Sequence, residues 1–248
     1  MAPGRATKGM RDYWDARARE NAAWYVDTSL AYDDPDMQRF FATGEVIAAE
    51  ALDDAPAVPE GRDLAVEIGS GLGRVCKALG ARFDNVIGVD ISAAMVDRAR
   101  ELVDETHVAF VVSDGSSLSG LSDGVADLVL SFTVFQHIPT VSVIEGYVRE
   151  AGRVLRPGGL FVFQWNNVPG VMRWRLRRWC LALLQRTRIH RERYMRHAPE
   201  FLGTRVRVVR IERALDAAGM DLVGTKGAGT LYAWAWARRR SPATTTRE

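Results

Sequence analysis

An apolar run from Leu64 to Ile68 flows into Glu67-Ile68-Gly69-Ser70-Gly71-Leu72-Gly73, with a glycine at every second position. Such a stretch turns a buried strand into a helix. Glycine is required where the backbone takes positive φ or where a ligand must approach the main chain closely. The amides exposed at the start of the following helix favour a carboxylate or a phosphate. Taken alone, the turn is also consistent with a plain tight βα connection or with a dinucleotide enzyme. The acids further along the chain must arbitrate.

The chain continues as an alternation of short apolar runs and segments of helical period, the pattern of a parallel sheet with helices on both faces. After the turn a helix is predicted over Arg74 to Leu79. A second strand, Val86 to Val89, ends at Asp90 and leads to a helix over Ala93 to Val103. A third, Val108 to Val112, ends at Asp114 and Gly115, and a fourth spans Ala126 to Ser131 before a helix near Val143 to Leu155. Pro157-Gly158-Gly159 turns the chain into a fifth strand, Leu160 to Trp165. Val206 to Ala218 reads as a helix closed by Gly219, and Met220 to Thr225 and Leu231 to Ala237 read as two last strands. Strands joined so closely must be antiparallel, because a parallel return needs a longer crossover. The prediction is one seven-stranded sheet, five parallel units closed by a hairpin.

Length and composition fit that reading. With 248 residues, 47% hydrophobic and 26% charged, one core can be filled. A formal charge of +2 does not by itself imply nucleic acid. The N-terminus carries no secretory signal, and no apolar stretch approaches the roughly 20 residues that span a bilayer. Cys76 and Cys180 form no CxxC pair and read as buried thiols in a reducing cytoplasm. His190 and His197 lack acid or cysteine partners at ligand spacing, and no metal site is expected.

The decisive pattern is the placing of three glycines and two acids at the carboxyl ends of successive strands, where open α/β sheets bind ligands. An acid closing strand two can hold a ribose diol. A carboxylate and amide closing strand three can bracket an adenine. Taken together, these motifs resemble the class I S-adenosylmethionine-dependent methyltransferase family, over roughly Leu64 to Arg238. Glu67 to Gly73 resembles its E/DxGxGxG motif, and Val89-Asp90-Ile91-Ser92-Ala93-Ala94-Met95 its second motif. Ser113-Asp114-Gly115 resembles its adenine motif, and Leu155-Arg156-Pro157-Gly158-Gly159 its LkPGG turn.

The resemblance implies a Rossmann-like α/β fold and S-adenosyl-L-methionine as cofactor, with S-adenosyl-L-homocysteine as product. Gly69 and Gly71 would lie under the methionine part, Asp90 would hold the ribose, Met95 would pack near the adenine and Asp114 would accept from its amino group. Phe132 and Thr133 would line the sulfonium end. Glu67, a strand-end acid that helps organise the loop, together with Ser70, Ile91 and Gly115, completes the expected cofactor set. His137, in Phe132-Thr133-Val134-Phe135-Gln136-His137-Ile138-Pro139, is the candidate base, since an imidazole near neutral pKa can take a hydroxyl, phenol or ammonium proton. A buried histidine that only shapes the loop is the competing reading.

Outside the core motifs, residues 1–10 and 239–248 are expected to be disordered, and residues 11–238 to form a single domain. Within it, 11–60 would be a helical lid and 168–205 a helical substrate insert. Tyr13, Tyr25, Gln136, Trp165 and Arg205 are the candidate substrate contacts. The insert, with Arg173, Arg175, Arg177 and Arg178 among tryptophans and leucines, can bind an acidic substrate, rest on an anionic membrane face or touch RNA phosphates. A lid with a solvated arginine face explains it equally well. The implied function is methyl transfer to oxygen, nitrogen or carbon of a small molecule, suited to secondary metabolism. Nucleic acid is disfavoured, because the Asn/Asp-Pro-Pro-aromatic signature is absent after strand four. An RNA methyltransferase, a non-methylating cyclase and a cofactor-binding regulator stay open as alternatives.

Overall fold

The computed structural model describes residues 3–53, 55–169 and 203–241. Two helices, α1 (Pro3–Val26) and α2 (Met37–Leu52), precede β1 (Leu64–Ile68), α3 (Arg74–Gly80), β2 (Asn85–Asp90), α4 (Ala93–Leu102) and β3 (Val108–Val112). Then come β4 (Ala126–Ser131), α5 (Val141–Val154), β5 (Leu155–Trp165), α6 (Val208–Ala217), β6 (Met220–Lys226) and β7 (Ala233–Arg239). The strands form one sheet in the order β3-β2-β1-β4-β5-β7-β6. β1 to β5 are parallel, and β7 runs antiparallel to both β5 and β6. The expected seven-stranded sheet with its closing hairpin is present.

Alternation within the strands assigns each side chain to a face. Val66, Ile68, Val129, Phe161, Phe163 and Trp165 pack with α5 and α6. Leu128, Leu130, Leu160 and Val162 pack on the other face with α2, α3 and the indoles of Trp234 and Trp236. β4 is buried at every position, which is why it reads as an unbroken apolar run rather than an alternating one. β1 has β2 on one side and β4 on the other, so the connections leaving it diverge and open a crevice at the carboxyl edge.

Several boundaries differ from expectation. Strand five starts at Leu155, before the Pro-Gly-Gly turn, because Leu155 pairs with Ala126 while Leu160 pairs with Leu128; the glycine segment is a bulge inside the strand. Residues 1–10 were expected outside the fold, yet α1 begins at Pro3 and buries Ala6 and Met10. Small apolar side chains on one helical face give it something to pack. α1 is two helices across a kink at Asn21, whose side chain accepts from the Trp24 amide and so starts the second segment.

At the other end, residues 239–248 were also expected to be disordered. Arg239 instead closes β7, and the Arg240 amide bonds the Gly219 carbonyl. Residues 242–248 lie outside the described residues, as do residues 170–202, which hold most of the predicted helical insert, Cys180, His190 and His197. Among the described residues no helix is long and apolar enough to cross a membrane.

Candidate functional site

The crevice is a cleft of about 870 Å³, part of it continuous with solvent. Its floor is the turn after β1. Gly69, Gly71 and Gly73 all have positive φ. A Cβ on Gly69 would fall 2.2 Å from a Val134 methyl, so no other residue fits there without displacing the loop after β4. The Gly69 and Ser70 amides bond the Val89 carbonyl, which fastens the turn to β2. The Ser70 hydroxyl is buried at the cleft without a hydrogen-bond partner.

Asp90 closes β2 and lines the cleft. One carboxylate oxygen accepts from the Gly71 amide at 2.9 Å and the other from the Ser92 amide at 2.8 Å. Burial raises its pKa, opposed by the amides of Ser92, Gly71 and Ile91. Behind it, Glu67 is buried and accepts from the Cys76 thiol at 2.9 Å. Desolvation pushes this carboxyl up to about 8, against the pull of the Cys76 bond and the Arg74 charge. Ile91, Met95, Phe132, Thr133 and His137 complete the predicted part of the lining. Thr133 has φ 54°, alone in this region among the described non-glycine residues, and a β-branched residue there stores strain of the kind that marks functional loops.

Several of the walls were not foreseen. Met10, Trp14 and Val26 of α1 and Tyr147 of α5 face the cleft, and Trp14 meets the His137 ring edge-on at 5.4 Å. Arg74 also lines it. Its guanidinium bonds Asp27 and Thr43, both at 2.8 Å, and the Val26 carbonyl at 3.3 Å, and it lies over the rings of Phe40 and Phe132. Burial alone would raise the Asp27 carboxyl, but bonds from Ser29 and the Arg74 charge hold it below its usual value. The available signal was position: Arg74 directly follows the last glycine of the turn.

Residues 66–163, containing this turn, both acids and most of β5, match the family model described as a methyltransferase domain. Those residues are similar to a methyltransferase domain, and the sheet around them has the class I methyltransferase fold. The chain is 31% identical over 142 residues to the 2-methyl-6-phytyl-1,4-hydroquinone methyltransferase of Synechocystis sp., a match covering 55% of this chain and 43% of that one. It is 35% identical over 101 residues to a malonyl-[acyl-carrier protein] O-methyltransferase of Geobacter sulfurreducens, covering 40% and 36%. The chain thus spans less than half the length of either relative. Its fold is that of the magnesium protoporphyrin IX methyltransferase of Synechocystis, whose structure holds SAH (TM-score 0.60, 18% identity, 94% of this chain and 99% of that one).

Not every predicted residue reaches the cleft. Asp114 is exposed, and Gly115 beside it is likewise absent from the lining. Tyr25 does line it, with its hydroxyl donating to Glu20 at 2.8 Å and accepting from Arg17 at 2.9 Å. Burial raises its phenol, and the Glu20 bond adds to that. Tyr13 packs edge-on against Trp14 and under the Arg17 guanidinium, outside the lining. Gln136 is buried and donates to the Gln164 side chain at 3.2 Å.

Trp165 is corrected outright as a substrate contact: it is fully buried, packs on Phe163 and donates its indole N–H to the Val206 carbonyl. A residue enclosed on β5 by its own core has no face left for a ligand. Arg205 is exposed and bonds the Val168 carbonyl at 3.1 Å, joining the two ends of the insert rather than facing the cleft.

Proposed function

We propose that this domain uses S-adenosyl-L-methionine to methylate an oxygen, nitrogen or carbon of a small molecule. One observation carries the reading: the buried Asp90 carboxylate at the carboxyl end of β2, beside a turn whose Gly69 and Gly71 leave the main chain bare to the cleft. The residues present suit the cofactor. The orphaned Ser70 hydroxyl and the bare backbone of the turn can take its amino-acid end, Asp90 its ribose hydroxyls, and Ile91 and Met95 an apolar ring face. Phe132 and Thr133 would border its sulfonium. That sulfonium supplies an electrophilic methyl, so the chain's work is chiefly to orient a nucleophile and exclude water.

His137 is the group available to accept the proton an acceptor hydroxyl or amine gives up, and the edge of Trp14 holds its ring at the cleft. By their names the two relatives above act on a phytyl hydroquinone and on malonyl-[acyl-carrier protein], which supports a small organic acceptor group. The arginine-rich composition of the segment after β5 suits an acidic acceptor or an anionic membrane face.

Calorimetric titration with S-adenosylmethionine, with NAD in parallel and Asp90→Ala as control, tests the proposal. Micromolar binding that Asp90→Ala weakens at least tenfold, with no heat from NAD, is the expected outcome. Folded protein that binds neither S-adenosylmethionine nor S-adenosylhomocysteine would overturn it.

A further inference from the structure

We infer that the lip of the cleft beside β5 docks on an anionic lipid bilayer, through the exposed side chains of Arg205, Arg207, Val209, Leu231 and Tyr232. Three segments build this lip at the carboxyl edge of β5. The chain leaves the sheet at Asn166 and Asn167. The segment before α6 lies along it, with the Val206 amide donating to the Asn166 carbonyl at 3.0 Å and Arg205 to the Val168 carbonyl at 3.1 Å. The turn between β6 and β7 flanks the same residues, where the Asn167 amide donates to the Thr230 carbonyl at 2.9 Å. Gly203 lies so close to the Gln136 carbonyl that no Cβ fits there, so the lip adjoins the loop that carries His137 into the cleft.

Two properties of the lip go together. Its tips are apolar in a place where water is the ordinary neighbour: Leu231 is 41% exposed, Tyr232 58% and Val209 43%. A hairpin turn is usually built of small polar residues and gains nothing by holding a leucine and a phenol ring in solvent. Its charge is also of one sign. Residues 165–169, 203–211 and 226–232 contain no Asp or Glu. Arg210 is paired with Glu145 and Lys226 with Glu50, whereas Arg205 and Arg207 are exposed and meet no carboxylate among the described residues. The chain adds to this charge where it leaves the lip. Residues 170–202, joined to it at both ends, hold nine arginines and two glutamates, with Trp174 and Trp179 among them.

Across the cleft the sign reverses. The segment between α1 and α2 is fastened beside the β1 turn through the Asp27–Arg74 bond and carries the exposed Asp33, Asp34 and Asp36. A soluble anion would use the arginines and leave the bare leucine and tyrosine without a role. A bilayer with anionic head groups uses both: the apolar tips enter the head-group layer while the guanidinium groups stay at the phosphates. The acidic segment keeps the opposite lip off the same surface, so the contact is one-sided. The mouth then stands at the lipid face, and an amphiphilic acceptor can present its head to the cleft without leaving the membrane. That last consequence rests on the methyl-transfer reading above.

Flotation of the full chain with vesicles tests the surface, using phosphatidylcholine alone and an equal mixture with phosphatidylglycerol. Binding to the mixed vesicles that raised salt weakens, and little binding to phosphatidylcholine, is the expected result. The pair Arg205→Gln and Arg207→Gln should lose about tenfold in affinity for the mixed vesicles. The pair Leu231→Ser and Tyr232→Ser should lose about threefold or more. A control pair, Arg62→Gln and Arg149→Gln, removes the same charge from exposed positions towards the amino edge of the sheet and should stay within about twofold. Calorimetry with S-adenosylhomocysteine on each variant reports that the fold is kept. Wild type without preference for the anionic vesicles overturns the inference, and so does a control pair that loses as much as the Arg205 and Arg207 pair. Vesicle binding by a chain that takes no S-adenosylhomocysteine would sustain the surface and overturn the cofactor reading instead.

Discussion

A carboxyl group shut away from water keeps its proton far above its ordinary range, and Glu67 is such a group, pushed from 4.5 to about 8 by burial. Below pH 4.5 it is protonated in folded and unfolded chains alike and costs nothing. Between those two values the unfolded chain releases the proton while the fold retains it, so stability falls as pH rises. Above about 8 the fold carries the full penalty of a buried charge. Glu67→Gln keeps the acceptor for the Cys76 thiol and removes the titration. Its Tm should therefore stay nearly level between pH 5 and 8.5, where the wild type declines. A variant whose Tm falls in parallel with wild type would exclude Glu67 as the source. The sequence showed an acid at this strand end, but not that its partner would be a thiol nine residues on. Asp114 teaches the same lesson in reverse. Its spacing is that of a base-binding acid, yet spacing is silent about which neighbours use its oxygens, here the amides of Ser116 and Ser117.

At the scale of elements, α1 turns a sheet edge into a cleft. Asp15 accepts from the Ser92 hydroxyl at 2.6 Å and the Ala94 amide at 3.3 Å, so a side chain of α1 satisfies the first turn of α4. Arg98 on α4 returns a bond to the Ala18 carbonyl at 2.9 Å. The Asp15 charge at a helix N-terminus is favourable as well. Asp15→Ala should cost about 1 kcal/mol of stability, the usual worth of a helix-capping contact, and should speed amide exchange in α1 more than in β4. Equal acceleration in both would mean that α1 is held elsewhere. A helical segment was expected from residue 11; its start at Pro3 and its kink at Asn21 were not legible. The start draws on the loop after β3, where Thr7 lies beside Gly115, while the kink follows from the Asn21 side chain capping the second segment.

At the scale of the whole molecule, the closing hairpin ties the far edge of the sheet to the segment before β1. The Trp236 indole donates to the Ala51 carbonyl at 2.9 Å. Arg238 donates to the carbonyls of Gly158 at 2.7 Å and Val58 at 2.9 Å and pairs with Glu60. Arg238→Ala leaves the partly buried Gly158 carbonyl short of a donor and should cost about 1 kcal/mol in urea unfolding, with no change in cofactor affinity. A loss of affinity equal to the loss of stability would show that the hairpin and the cleft are coupled. As sequence, Arg238-Arg239-Arg240 looked like a frayed basic tail. As structure, it is the end of a strand whose guanidinium groups cap helix and loop carbonyls.

What the sequence determined by itself is the order of strands and helices, the glycine turn and the acid that ends β2, because period, propensity and backbone φ act over a few residues. Tertiary structure alone decided which side chains share the cleft. Arg74 reaches it by bonding Asp27 and Thr43, Tyr147 reaches it from a helix distant in the chain from Asp90, and Trp165 is denied it by its own core. Those outcomes follow from desolvation and from competition for hydrogen-bond partners, and both are settled only when segments distant in the chain meet.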